Sequence, residues 1–181
     1  MKGSRVAKRY AIALFEGAKE KGLLETVEGQ MRSLAQAYEE VAEFRQLIES
    51  PVIAIPEKTK AIKTLFEDRL HPFVVNFLEL LIQKNREVLL PSVIEYFYEL
   101  LDEYRGIVRG TVYAAVEMTE QQLQALNERL NEITGKTVVL IQKVDASLLG
   151  GFVVQIKDRV IDNSIRHQLE KLKEQLVEAS L

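Results

Sequence analysis

The chain has 181 residues, of which 47% are hydrophobic and 28% charged, and its formal net charge at pH 7 is −3. This composition is typical of a globular protein of one or two domains, and no apolar run reaches the roughly eighteen residues of a membrane span. The small negative charge disfavours nucleic-acid binding, and the absence of cysteine excludes thiol catalysis and zinc–thiolate sites. Because the N-terminus lacks the hydrophobic segment of a signal peptide, we expect a protein that is not secreted.

The first predicted helix covers residues 4–21 and ends at Gly22, which suits the left-handed position after a helix. Its small and apolar residues form two adjacent stripes. The first stripe contains Val6, Tyr10, Ala13 and Gly17, and the second contains Ala7, Ala11, Leu14 and Ala18. A helix that covers one core needs a single stripe. Two stripes indicate close neighbours on two sides, which are either other helices of the same bundle, the simpler alternative from spacing alone, or a partner.

Apolar residues three and four apart continue from Leu24, and the helical pattern shifts face near residues 41–43 before it ends at Ser50-Pro51. Pro56, Pro72 and Pro91 suit the first turns of three further helices. The helix over residues 73–83 is apolar on nearly all sides, so we expect its own bundle or a partner to bury it. The sequence therefore predicts a bundle of five or six helices over residues 1–105.

The hydrophobic period changes from helix to strand at Gly106. One face of an extended segment carries Val108, Gly110, Val112, Ala114 and Val116, which is typical of a strand. Thr119 with Gln122 forms a capping box before a helix that ends at Gly135. A strand over residues 137–144 follows, and then a hairpin and a last helix. We therefore predict an α+β protein, in which the bundle is followed by a strand–helix–strand–hairpin–helix domain over residues 106–181.

The most informative segment lies between Leu149 and Ser164. A glycine pair, Gly150-Gly151, precedes two short β-rich runs over residues 152–156 and 160–161, which three polar residues separate. Asp162 and Ser164 then precede a helix whose apolar stripe is Ile165, Leu169, Leu172 and Leu176. Asp162, Ser164 and His167 could also suggest a hydrolytic triad, but a serine at the start of a helix is more typical of an N-cap.

The segment from Gly150 to Arg166 resembles the C-terminal signature of the delta subunit of F-type ATP synthases, the homologue of mitochondrial OSCP. The residues 9–15, Arg-Tyr-Ala-Ile-Ala-Leu-Phe, also resemble the first helix of that family. The family commonly has glycine at the positions of Lys157 and Asn163. Asparagine tolerates a left-handed conformation, whereas lysine leaves the turn type of the hairpin open. The signature residues of this chain are Gly150, Gly151, Asp158, Ile161, Asp162 and Ser164.

The resemblance implies a non-catalytic stator subunit, without cofactor or metal, that links the catalytic head to the peripheral stalk and so couples proton translocation to ATP synthesis. It implies a groove between the first and fifth helices for the N-terminal helix of the alpha subunit, and a C-terminal domain that meets the b-type stalk subunit. The implied location is the cytoplasmic face of a bacterial cell membrane, reached only through the complex. Carried onto this sequence, the groove residues are Tyr10, Ala11, Leu14, Ala18, Phe77, Leu78 and Leu81.

A nucleic-acid-binding module is the alternative, because small α+β units are common RNA-binding scaffolds. It would require a G-x-x-G loop between helices, or aromatic residues on strands beside a basic face. Phe152 is one aromatic residue on a predicted strand, but the other requirements are not met, and the charge of this chain is evenly spread. The chain also lacks a phosphate-binding glycine loop, and His71 and His167 are too isolated for a metal site. We therefore expect no hydrolytic activity and no nucleic-acid partner. For the groove we expect Ala11→Arg or Ala18→Arg to spare folding and abolish binding of the partner helix.

Overall fold

The computed structural model describes residues 5–178, except for the side chains of residues 174 and 176–178. The chain divides into two compact units between Leu101 and Asp102. Helices form the first unit, and a four-stranded sheet with helices forms the second, so the predicted α+β class is confirmed. The predicted domain boundary, between residues 105 and 106, lies a few residues after this division.

Within residues 5–104, six α-helices and one short 3-10 helix follow the Pro and Gly signals of the sequence closely. Pro56 and Pro72 lie at the first or second positions of their helices, where the missing N–H is not needed. The predicted shift of face occurs at Val41, whose extended φ and ψ of −103° and 102° separate two helices. The elements are α1 (Arg5–Glu20), α2 (Leu24–Glu40), α3 (Ala42–Glu49), α4 (Ile55–Phe66), α5 (Pro72–Gln83), the 3-10 helix (Glu87–Leu89) and α6 (Leu90–Tyr104).

One continuous core fills the helical unit, and α1 and α5 contribute a large share of it. Phe15 of α1 meets Phe97 of α6 edge-on, with 6.2 Å between ring centroids. Phe44 and Phe66 form a similar pair at 5.4 Å. Such edge-to-face pairs add to the free energy gained by burying the ring area. The second stripe of α1 lies in this core, as Ala7, Ala11, Leu14 and Ala18 are all buried.

The second unit is a sheet in the order β2-β1-β3-β4, with β1 parallel to β2 and antiparallel to β3. The predicted capping box is confirmed, because the Thr119 hydroxyl accepts from the Gln122 N–H and the Gln122 side chain accepts from the Thr119 N–H. Gly135, with a φ of 65°, ends that helix as predicted. The elements are β1 (Ile107–Ala114), α7 (Glu120–Thr134), β2 (Thr137–Val144), β3 (Gly151–Ile156), β4 (Arg159–Ser164) and α8 (Ile165–Glu178).

The hairpin between β3 and β4 is tighter than the sequence indicates. Ile156 pairs with Arg159, so only Lys157 and Asp158 remain in the turn instead of three polar residues. Lys157 has a φ of 49°, in the left-handed region that glycine enters without steric cost. Asn163 lies within β4 opposite Phe152, and its φ is not positive.

Candidate partner-binding surfaces

α1 and α5 run in opposite directions along one side of the helical unit. Tyr10 of α1 meets Phe77 of α5, with 6.4 Å between ring centroids. Seven residues later in α1, a Cβ on Gly17 would lie 3.0 Å from the ring of Phe73, which comes earlier in α5. Increasing residue numbers in α1 therefore face decreasing numbers in α5, and Gly17 lets the Phe73 ring approach the helix backbone.

A groove of about 760 Å³ lies between these two helices. Its floor is largely apolar, and Ala13 is exposed within it because a methyl group leaves the space above the helix open. Leu80, a large apolar side chain, is 41% exposed on the α5 side. Burying exposed apolar area of this kind is favourable, so the groove suits an apolar surface of similar length. The lining residues are Val6, Arg9, Tyr10, Ala13, Leu14, Phe73, Asn76, Phe77, Leu80, Lys84 and Arg86.

Three of the seven residues predicted for the groove line it, namely Tyr10, Leu14 and Phe77. The structure places the other four, Ala11, Ala18, Leu78 and Leu81, in the core of the bundle, with at most 2% of each residue exposed. The expectation for Ala11→Arg and Ala18→Arg is corrected accordingly: the bundle itself fills the space beside these alanines, so a bulky charge there would disrupt folding.

The stripe that the groove uses is the other one, which begins at Val6 and passes through Tyr10 and Ala13. Spacing identifies both stripes of α1, but it does not show which neighbour covers each of them. Asn76, Leu80 and the cations of the lining were not identified from the sequence. The sequence could have indicated Leu80, because it is an apolar residue on the opposite face of α5 from the buried Leu78.

The glycine pair of the C-terminal signature brings β3 against the start of α8. Gly151 pairs with Ser164 and has a φ of 76°, and a Cβ there would lie 2.3 Å from the carbonyl oxygen of Asn163. The Gly150 carbonyl accepts from the Ile165 N–H at 3.0 Å, and a Cβ on Gly150 would lie 2.5 Å from the Ile165 side chain. Both positions therefore require glycine for close approach of the chain.

Asp162 and Ser164 act as a cap and not as members of a triad. The Ser164 Oγ accepts from the backbone N–H of His167 at 3.3 Å, as an N-cap does. The Asp162 carboxylate accepts from the Ser164 N–H at 2.8 Å. Hydrogen bonds from the Ser164 hydroxyl and then from its backbone N–H hold the pKa of Asp162 below the ordinary 3.8. The cap interpretation is confirmed. Of the other signature residues, Asp158 lies in the hairpin turn and Ile161 pairs with Val154.

Comparison with known proteins decides the family. The family model described as "ATP synthase delta (OSCP) subunit" matches residues 6–176, which is nearly the whole chain. The chain belongs to this delta (OSCP) family. The resemblance that the C-terminal signature and the first helix indicated is confirmed.

Individual relatives of this family match over almost their full length. The ATP synthase subunit delta of Carboxydothermus hydrogenoformans is 38% identical over 96% of this chain and 97% of that protein. That of Salinibacter ruber is 39% identical over 97% of this chain and 93% of that protein. A chain of the cryo-EM structure of the Toxoplasma gondii mitochondrial ATP synthase hexamer has a TM-score of 0.69 at 24% identity and covers 96% of this chain and 98% of its own length, so it shares the fold.

Membership of the delta family makes this chain a non-catalytic stator subunit of F-type ATP synthase. Among the residues 5–178 whose side chains are described, no three His, Asp or Glu are close enough to hold a metal ion. Within the same residues, no helix is both long and apolar enough to cross a bilayer. The groove between α1 and α5 is one exposed apolar face of this family member.

The second such face lies on α8. Ile165, Leu169 and Leu172 recur on one side of the helix as predicted, and 44%, 56% and 52% of each is exposed. Leu176, the fourth predicted member, has a side chain outside the described residues. Because the signature fixes the first residue of α8 against β3, it also fixes the direction in which this stripe leaves the sheet.

Proposed function

We propose that this delta-family chain joins the ATP synthase head to the peripheral stalk through two separate apolar surfaces. The first is the groove between α1 and α5, which would receive the N-terminal helix of an alpha subunit. The second is the exposed stripe of α8, which would meet a b-type stalk subunit. We further propose that the assembly lies on the cytoplasmic face of a bacterial cell membrane, since the relatives named above include bacterial proteins.

The open groove between α1 and α5 is the observation that carries this proposal. Its lined length on α1, from Val6 to Leu14, corresponds to about nine residues or about 13 Å of helix. An amphipathic helix of three turns would cover the exposed Leu80 and the half-buried Tyr10 and Phe73.

Apolar contact is the interaction suited to a joint that carries torque. A complex with a nanomolar dissociation constant requires a binding free energy of about 12 kcal/mol. An exposed ion pair contributes about 1 kcal/mol or less of this. Apolar burial contributes about 25 cal/mol per Å², so a few hundred Å² on each surface supplies the larger part. The stator must keep both contacts while rotation pulls on them, and two distinct surfaces allow both partners to bind at once.

A reciprocal pair of variants tests both surfaces in the full chain. Ala13→Arg places a charge over the apolar floor, so it should weaken binding of the alpha N-terminal peptide at least about 100-fold, or about 2.7 kcal/mol. It should leave binding of the C-terminal segment of the b-type subunit unchanged. Leu169→Glu should weaken binding of the b-type segment and leave binding of the alpha N-terminal peptide unchanged. Both residues are exposed, so the variants should melt as the parent does.

Ala125→Arg is the matched control, because Ala125 is an exposed alanine on α7, outside both surfaces. Calorimetric titration of the parent and of the three variants with each of the two peptides measures eight affinities. Unchanged binding of the alpha peptide by Ala13→Arg would refute the groove, and unchanged binding of the stalk segment by Leu169→Glu would refute the α8 surface.

A further inference from the structure

The groove between α1 and α5 has a basic end. Arg9, Lys84 and Arg86 line it together, and no carboxylate is among its lining residues. All three cations are exposed, and none of them forms an ion pair with a side chain that the structure describes. Because α1 and α5 are antiparallel, the N-terminal part of α1 lies beside the C-terminal end of α5, and the three cations gather at that end.

The backbone after α5 explains why two of these cations reach the groove. Asn85 has a φ of 53°, and its N–H donates to the Ile82 carbonyl at 2.9 Å while the Arg86 N–H donates to the Leu81 carbonyl at 2.8 Å. These two bonds form a Schellman motif, in which a left-handed residue reverses the chain. The reversal brings Arg86 back beside Lys84 at the groove.

Beyond the part of α1 that lines the groove, which ends at Leu14, the helix carries the opposite charge. Arg9, Glu16 and Glu20 are spaced by seven and four residues, so they lie within about 40° of one another on one line along the helix. Lys19 lies about 100° away from Glu20 around the helix, and Lys21 follows the last residue of α1. The line of α1 that begins with Arg9 in the groove therefore changes from basic to acidic over three turns.

We propose that this charge gradient sets the direction in which the bound helix lies. The occupant is an amphipathic helix whose carboxylate-bearing end lies over Arg9, Lys84 and Arg86, with its cationic end over Glu16 and Glu20. The inference rests on the proposed function of the groove and adds the polarity of its ligand. A helix laid in the reverse direction would bring like charges together at both ends, which disfavours that orientation.

Charge reversal at the basic end tests the polarity. The probe is the N-terminal peptide of the alpha subunit, titrated into the full chain at low and moderate salt. Arg9→Glu, and separately Lys84→Glu with Arg86→Glu, should each weaken binding about 10-fold at low salt and reduce its salt dependence. Lys8→Glu is the matched control, since Lys8 is exposed on the same helix about 100° from Arg9, and it should bind as the parent does.

Direction is measured by disulfide trapping, because the chain has no cysteine of its own. Gln83→Cys supplies a thiol at the basic end and Lys21→Cys one at the acidic end. A peptide with cysteine at its more carboxylate-rich end should link to the first and not to the second. Equal linking to both cysteines would overturn the proposed polarity. So would affinities that the charge reversals do not change while Ala13→Arg abolishes binding. Either result would leave the groove as the binding site. Full binding by Ala13→Arg would instead overturn the groove itself.

Discussion

Replacing Glu87 alone should destabilise the helical unit more than replacing both members of its buried ion pair. The carboxylate of Glu87 and the ammonium of Lys58 form a salt bridge in the interior, where 6% and 3% of the two residues are exposed. The ammonium has a second, longer contact of 3.5 Å to the Ile48 carbonyl. Within the described residues, the other carboxylate oxygen is buried without a hydrogen-bond partner.

The magnitude follows from what each substitution leaves behind. Glu87→Leu leaves a buried ammonium with one weak acceptor, which should cost about 3–5 kcal/mol. Lys58→Met leaves a buried carboxylate and should cost a similar amount. The double variant leaves no buried charge and also removes the unpaired oxygen, so its stability should be close to that of the parent or higher.

Urea unfolding followed by far-UV circular dichroism measures the four stabilities of this cycle. We expect a coupling energy of at least about 3 kcal/mol, since the residues act as a unit. The half-exposed pair Lys63–Glu79, at 3.2 Å, is the control, and its cycle should give about 1 kcal/mol or less. Additive single substitutions at Lys58 and Glu87 would refute the reasoning, because they would mean that neither charge depends on the other.

Two further predictions concern the C-terminal unit. Lys157→Gly should raise its thermal stability by about 0.5–1 kcal/mol, because the relief of left-handed strain exceeds the added chain entropy, whereas Asp158→Gly, at a residue without positive φ, should lower it. Since Ser164 holds the pKa of Asp162 below 3.8, the carboxylate stabilises the fold above that pH and this stabilisation is lost as pH falls through the lowered pKa. Asp162→Asn should therefore flatten the acid limb of the unfolding curve, and an unchanged limb would contradict this.

The sequence predicted the ends of helices well where a single residue type determines the backbone conformation. Pro72, Gly135 and the Thr119 capping box each fix a helix end through their own covalent geometry or hydrogen bonds, so the sequence alone locates them. The hairpin was predicted one turn residue too long, because Arg159 is polar yet lies in β4. Its pairing with Ile156 is a cross-strand feature that polarity along one strand does not reveal.

Features that join distant residues were not predictable in the same way. The Lys58–Glu87 pair spans 29 positions, and each residue alone reads as part of a solvated helix face. The two stripes of α1 were visible, but the choice between them depends on where α5 lies. Tertiary packing covers Ala11 and leaves Ala13 open, and hydrophobic period cannot distinguish the two.

The signature of the family acts on its partner surface indirectly. Gly151 and Ser164 form the contact between β3 and the start of α8, while the exposed stripe begins only at Ile165 and continues through Leu169. A side chain added at Gly151 would meet the Asn163 carbonyl and push this junction apart. A small change in the angle of the first turn moves the far end of a helix by a larger distance. The stripe would therefore leave the sheet in another direction. The most recognisable residues of the chain therefore position the stalk-binding helix that we propose, and need not touch the stalk.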